Sequence, residues 1–285
     1  MIVFTKRNLK LYFRNKGTVF FSLLAVFIIF GLYTIFLGDV WLDNSMGIEN
    51  AQLLMNNWLI AGILAVASTT TTMGAFGIMV EDKAKKIYKD FYSSPITRAS
   101  VTGGYLTSAF IIGVLMSLVA LAIGQIFIIT QGGELLGMEA SIKVFGLILL
   151  NTITNTAMVG FIVSFFNNQN SFSTASTLVG TLIGFLTGIY LPIGNLPEAV
   201  QYIVKLFPAS HGAALFRQVM MEKQIGIIFS GVPIEQLDSF KEYMGIIYRF
   251  GEHTITPFGS VAILVSTALV FYLLSGWNMS RKMIC

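Results

Sequence analysis

The sequence predicts an all-α membrane protein with six transmembrane helices and cytoplasmic N- and C-termini, and three observations carry that expectation. Only 11% of the 285 residues are charged and 55% are hydrophobic, where an ordinary soluble domain carries roughly 25% charged residues. The mean hydropathy is +0.75. The uncharged residues also fall in runs long enough to cross a bilayer, which takes about 20 apolar residues. A soluble surface needs far more charge than this, and 24 Phe exclude intrinsic disorder. The one cysteine, Cys285, excludes an internal disulfide framework and a cysteine-based zinc site.

The runs place spans at about 18–37, 58–80, 105–129, 144–166, 173–191 and 258–277. The stretch from Val144 to Pro197 must hold two of them, divided at Asn167-Asn168-Gln169-Asn170. None contains Asp, Glu, Lys, Arg or His, each of which would oppose insertion at a helix centre. The first apolar stretch is too long for a signal-peptide core and lacks an A-x-A-like site, so it reads as retained.

Charge sorting sets the topology. The N-terminal segment, the loop from Glu81 to Arg98 and the C-terminus hold 12 of the 18 basic residues but only 3 of the 14 acidic ones. The other side keeps 6 basic and 11 acidic residues, so +9 faces −5 and together they restore the net +4. Basic segments stay inside, which puts both termini in the cytoplasm.

The segments between spans carry their own patterns. Lys6, Lys10 and Arg14 share one face of an N-terminal helix beside Leu9, Tyr12 and Phe13, as in a helix lying on the inner leaflet. In the first cytoplasmic loop Ala84, Ile87, Tyr88 and Phe91 fall at i, i+3, i+4 and i+7, predicting an amphipathic helix over about 82–92. It reads as a docking helix for a cytoplasmic partner, or alternatively as a solvated segment whose lysines contact anionic lipid. Ser94-Pro95 resembles an N-cap with proline at N1, opening the next helix. After the fifth span, Pro192 and Pro197 precede a short helix with Val200, Ile203, Val204 and Phe207 on one face. Pro208 stops it and a second short helix follows, giving a pair at about 197–221 that suits a re-entrant or interfacial position. The polar outer segment 222–257 is expected to hold a helix from Pro233 to Arg249.

Within the spans, Gly180, Gly184 and Gly188 form a small-residue ladder on the fifth, and Ser173, Thr177 and Thr181 line the adjacent face. The second span carries Ser68, Thr69 and Thr72. Such hydroxyls can bond back to their own helix and such glycines can serve packing alone. Taken together, the second and fifth spans admit a polar-lined path or an interface between subunits.

Chemistry is conspicuous by what is missing. There is no phosphate-binding loop and no Gly-Lys dipeptide. His211 and His253 have no metal-ligand pattern, and Ser210-His211 has no nucleophile elbow. The spans hold no ionisable group of the kind proton-driven carriers use. Any work must be powered by another chain.

These parts, in this order, resemble the membrane subunit of an ABC-2-type ABC transporter over essentially the whole chain, as one transmembrane domain. The resemblance rests on the basic N-terminus, on Glu81-Asp82-Lys83 through Phe91-Tyr92-Ser93-Ser94-Pro95-Ile96-Thr97-Arg98, and on Tyr190-Leu191-Pro192 through Phe207-Pro208 to Leu215-Phe216-Arg217. It implies a permease in the plasma membrane that pairs with a second permease, identical or homologous. Two copies of a separate ATPase, carrying ATP and Mg, would dock beneath. It assigns Glu81, Ala84, Ile87, Tyr88, Phe91, Ser94, Pro95 and Arg98 to the ATPase-coupling segment. It implies no cofactor, metal or nucleic acid on this chain, and export as the direction. The scarcity of fixed charge among many Phe, Met, Ser and Thr suits an amphipathic cargo such as a drug, peptide antibiotic or lipid. The outer segment 222–257 is longer than a minimal linker. The alternatives are a sensor or immunity protein binding through that segment, and a lipid-acting enzyme using Ser210 and His211.

Overall fold

The computed structural model describes residues 1–33, 51–93 and 95–282. The end of the first expected span (34–37), the expected cap Ser94 and Cys285 lie outside them. The chain opens with three short helices, α1 (Ile2–Arg14), α2 (Lys16–Ser22) and α3 (Leu24–Leu32). In α1 the residues Phe4, Asn8 and Tyr12, at i, i+4 and i+8, turn inward with Thr5, while Lys6, Lys10 and Arg14 stay exposed. Asn15 ends α1 and caps α2, its side chain accepting from the Thr18 amide. A 2.6 Å hydrogen bond between Tyr12 Oη and Ser22 Oγ closes the elbow. Leu23 interrupts the helix, so the described part of the first expected span is two pieces.

Helix α4 (Ala51–Ala84) runs through the middle of the molecule, and 78% of its most apolar stretch is buried. Its apolar residues fall on no single face, the pattern of a helix largely surrounded by protein. Its hydroxyls therefore satisfy themselves: Thr69, Thr71 and Thr72 donate to the carbonyls of Ala65, Ala67 and Ser68 one turn back. After a turn comes α5 (Tyr88–Tyr92), then α6 (Arg98–Thr130) and α7 (Met138–Val163), both packed on α4. Thr97, not Ser94-Pro95, caps α6: its side chain accepts from the Ser100 amide. Pro95 sits in the preceding turn with its side chain exposed.

Helix α8 (Gln169–Leu186) is capped by Asn168 and ends five residues before the expected Leu191. Gly188, at φ +63, turns the chain back, so that Ile189 N donates to Gly184 O and Gly188 N to Phe185 O. This is the Schellman closure, which needs a left-handed residue at that position. The glycine ladder is thus broken. Gly188 terminates the helix, a Cβ at Gly184 would strike the Tyr190 ring at 2.3 Å, and Gly180 faces open space. Gly184 and Gly188 serve the chain's own turn, in which Gly180 takes no part.

A 3₁₀ turn (Ile193–Asn195) leads to α9 (Glu198–Leu206) and α10 (Pro208–Met220). The expected break and proline starts are present: Pro197 precedes α9 and Pro208 is the first residue of α10. The apolar face expected on α9 is half covered: Val204 is buried and Phe207 half-buried, while Val200 and Ile203 are exposed. Helix α10 is buried from Ala209 through Arg217 and packs against α4 and α7. The outer segment forms α11 (Glu222–Ile228) and α12 (Ile234–Tyr243), shorter than the helix expected over Pro233 to Arg249. Gly245, at φ +67, redirects the chain into a small antiparallel hairpin, β1 (Arg249–Phe250) with β2 (His253–Thr254). The last helix is α13 (Pro257–Lys282), packed mainly on α7 and only 17% buried over its apolar stretch, leaving a broad face for lipid.

Among the described residues, four helices are long and apolar enough to cross a membrane: α4, α6, α7 and α13. The outer segment closes one end of this bundle. Trp58 Nε1 donates to Met244 O at 2.8 Å, Tyr248 Oη donates to Ser210 O at 3.0 Å, and Lys223 pairs with Glu134. That last pairing holds the Glu134 carboxyl below its usual range through the Lys223 hydrogen bond.

Arg217 joins three segments. Its guanidinium, 0% exposed, donates to the carbonyls of Thr187 and Gly188 at the end of α8 (3.0 Å each) and to Gly245 O at 3.2 Å. It lies 4.7 Å from the Trp58 ring centroid, a cation–π arrangement. Arg217→Leu strands these carbonyls and is expected to cost about 2–4 kcal/mol. Arg217→Lys recovers only part of this, because a single ammonium cannot span the fork. Thermal unfolding of the detergent-solubilised protein checks this, and an unchanged midpoint for the leucine variant would refute it.

Candidate functional site

Two features meet at the foot of α4: a long cleft and a charged junction. The cleft, about 1420 Å³ in volume, lies between the α1–α3 arm, α4 and α8. It exceeds the roughly 300–1,000 Å³ of ordinary small-molecule pockets. From the arm come Leu11, Tyr12, Arg14, Lys16, Phe21, Leu24 and Ile28; from α4 come Thr70, Met73, Gly74, Gly77 and Ile78. From α8 come Gln169, Phe172, Ser173, Ser176, Thr177, Gly180 and Thr181. Gly74 lets Ser22 approach α4, and Gly77 faces the Phe172 ring.

The structure therefore brings together half of the polar path read from the sequence. Ser173, Thr177, Gly180 and Thr181 line the cleft as expected of the fifth span. On the second span the expected residues face elsewhere: Ser68, Thr69 and Thr72 are buried. Ser68 Oγ donates to Ala65 O and accepts from both Asn151 Nδ2 and Asn155 Nδ2 at 2.7 Å, which saturates it. It is a tie between α4 and α7. The cleft-facing stripe is instead Thr70, Gly74, Gly77 and Glu81, at i, i+4, i+7 and i+11. A run of four threonines after Ser68 puts a hydroxyl on every side of the helix, so composition alone could not choose the face; the small residues one and two turns further along could have.

The junction is built around Asp82, 3% exposed. Arg7 on α1 reaches it in a bidentate pair, Nη1 to Oδ2 at 2.7 Å and Nη2 to Oδ1 at 2.8 Å. Tyr105 on α6 donates to Oδ2 at 2.6 Å. Paired hydrogen bonds to the carboxylate hold the Arg7 guanidinium above its ordinary pKa against the opposing effect of burial. The same guanidinium lies 5.4 Å from the Phe4 ring and 5.1 Å from the Phe91 ring, which themselves meet edge to face. Sequence reading counted Arg7 among the basic N-terminal residues and placed Asp82 at the start of the coupling helix, without pairing them. The available signal was an acid directly at the foot of an apolar run, where an unpaired carboxylate is costly.

The coupling segment differs from one continuous helix over 82–92. Helix α4 continues to Ala84, and Lys86 then takes φ +60, a left-handed conformation that breaks the helical path. The four residues expected on one face part company. Ala84 is exposed, Ile87 lines the cleft, Tyr88 is half-buried, and Phe91 turns inward onto Phe4. Glu81 pairs with Lys85, and Lys83 Nζ donates to Ser164 O and Phe166 O at the α7–α8 turn. Arg98 is the first residue of α6. The exposed tip is Lys85, Lys86, Lys89 and Asp90.

Ser210 and His211 do not form a nucleophile–base pair. Ser210 Oγ donates to backbone carbonyls at 2.6 Å. His211 Nε2 donates to Lys205 O at 3.0 Å, which leaves Nδ1 to accept from Ser260 Oγ at 3.1 Å. Both side chains are spent on holding α10 to α9 and α13.

No curated protein matches the chain. The family of ABC-2 type transporters does, over residues 1–221, from α1 through the end of α10. That match spans the arm, the cleft, the junction and the short-helix pair, and it stops before the outer segment and α13. With most of its length matched, the chain belongs to the ABC-2 type transporters, as the membrane component of an ABC transporter.

Proposed function

We propose that the chain is the permease subunit of an exporter, moving an amphipathic substrate such as a drug, peptide antibiotic or lipid out across the plasma membrane. ATP hydrolysis on two copies of a separate ATPase drives it, and a second permease completes the path. The arrangement has six spans with both termini in the cytoplasm, α2–α3 and α8 supplying the two that are not among the four long apolar helices. The supporting observation is that the cleft and the coupling segment share residues: Glu81, Asp82, Lys85 and Ile87 form the cleft's wall at its basic end. A force applied to the tip at Lys86–Asp90 therefore changes the cleft without a long relay.

On this reading the ATPase docks on the exposed tip, and closure around ATP displaces it. The Arg7–Asp82–Tyr105 junction makes α1, α4 and α6 move with the tip as one body. The cleft then alternates between inward and outward access, the substrate shifting the balance only by its different affinity for the two forms. No catalytic residue is required of this chain.

Reversing the tip charges, with Lys89→Glu and Asp90→Lys together, is expected to weaken ATPase association about tenfold or more without altering thermal stability. Co-purification and titration with a co-expressed ABC ATPase subunit measure it, and wild-type association would overturn the docking assignment. The junction is tested by Arg7→Met, Asp82→Asn and the double variant. Each single change is expected to cost about 1–3 kcal/mol, and the double no more than the worse single, since the two groups act as a pair. In the same variants the ATPase is expected to stay bound while substrate no longer stimulates hydrolysis; additive losses or intact stimulation would count against the junction as a transmitter.

A further inference from the structure

We propose that the cleft selects an anionic amphiphile, binding a negatively charged head group between Arg14 and Lys16 and an apolar tail along the wall above. The inference rests on the cleft being the substrate site, and it names the substrate's charge, which nothing above assigns.

The cleft is charged at one end only. Arg7, Arg14, Lys16 and Lys85 line the end near the α1–α2 elbow, with Glu81 and Asp82. Both acids are already committed: Asp82 to Arg7 and Tyr105, and Glu81 to Lys85. Four cations against two acids leave a surplus of two, and Arg14 and Lys16 carry it, having no ion pair among the described residues. Their exposed side chains flank Asn15 at the elbow, which Asn15 and Tyr12 hold in place through the Thr18 amide and Ser22. The surplus is thus fixed at the cleft's mouth rather than spread along a mobile tail.

Away from that end the wall carries no charge. Lys16 to Ile28, Asp82 back to Thr70, and Gln169 to Thr181 each advance twelve residues along the cleft. At 1.5 Å per residue this is about 18 Å of helix, long enough for an extended hydrocarbon tail. Phe21, Leu24 and Ile28 supply apolar surface there, and Thr177 and Thr181 already donate their hydroxyl protons to their own helix. They offer the tail no unsatisfied donor. A cation would meet repulsion at the mouth, and a small hydrophilic anion would leave the apolar wall unfilled.

The test uses fluorescent single-tail probes that share one tail and differ in head: phosphate, phosphocholine or trimethylammonium. Binding is measured to the full chain, with its ATPase, in uncharged detergent. The phosphate head is expected to bind about tenfold tighter than phosphocholine, and the ammonium head weakest. Arg14→Gln with Lys16→Gln is expected to abolish this preference, the phosphate head falling about tenfold toward the affinity of the phosphocholine head. Leu24→Trp, which fills the tail region, is expected to weaken all three. Lys6→Gln with Lys10→Gln removes equal charge from the exposed face of α1 and serves as the control. Equal affinity for the three heads, or a control as damaging as the elbow variant, overturns the proposal, since the preference would then be absent or merely diffuse surface attraction. Binding of inorganic phosphate as tight as the phosphate probe overturns the tail assignment. Because these measurements need no transport, anionic selectivity without export would refute the exporter reading alone, and export without head-group selectivity would refute this one alone.

Discussion

Helix α4 is covered by protein except along the cleft, and pairing polar groups in that setting is the constraint on which the rest of the molecule depends. Its threonines bond to the preceding turn, and Ser68 is saturated by two asparagines of α7. The one carboxylate it buries, Asp82, draws Arg7 and Tyr105 from two other helices. The arm, α6 and α7 are positioned by what α4 needs. The cleft is the side on which small residues, Gly74 and Gly77, leave nothing to satisfy.

Much of this was legible in the chain. The spans could be placed because charge is excluded from hydrocarbon, and the four long helices contain the intervals inferred from the uncharged runs, apart from the last three residues of the 144–166 interval. The two short helices were legible because Pro197 and Pro208 start them. The cap of α6 was misread because Ser94-Pro95 and Thr97 offer equivalent local chemistry, and the choice between them depends on where α5 ends. The fifth span was drawn too long because glycine reads the same in a packing ladder and in a left-handed turn. Only the Schellman bonds from Ile189 and Gly188 distinguish them.

The coupling segment shows how periodicity can survive where the helix does not. Ala84, Ile87, Tyr88 and Phe91 keep helical spacing, yet the left-handed Lys86 rotates the residues after it away from those before. Phe91 is then spent on Phe4 and Arg7, and the surface left to a partner is charged rather than apolar. The spacing recorded a real requirement, apolar contact beside α4, but its target lies within the chain.

Arg217 has a consequence for how this end of the bundle can come apart. Among the described residues no acid pairs with its charge, which is offset by three carbonyls: two at the end of α8 and one at the Gly245 turn. Opening any one of these exposes a bare cation to an interior that cannot solvate it. The end of α8, the whole of α10 and the turn after α12 therefore melt together or not at all. One buried charge makes them a single cooperative unit.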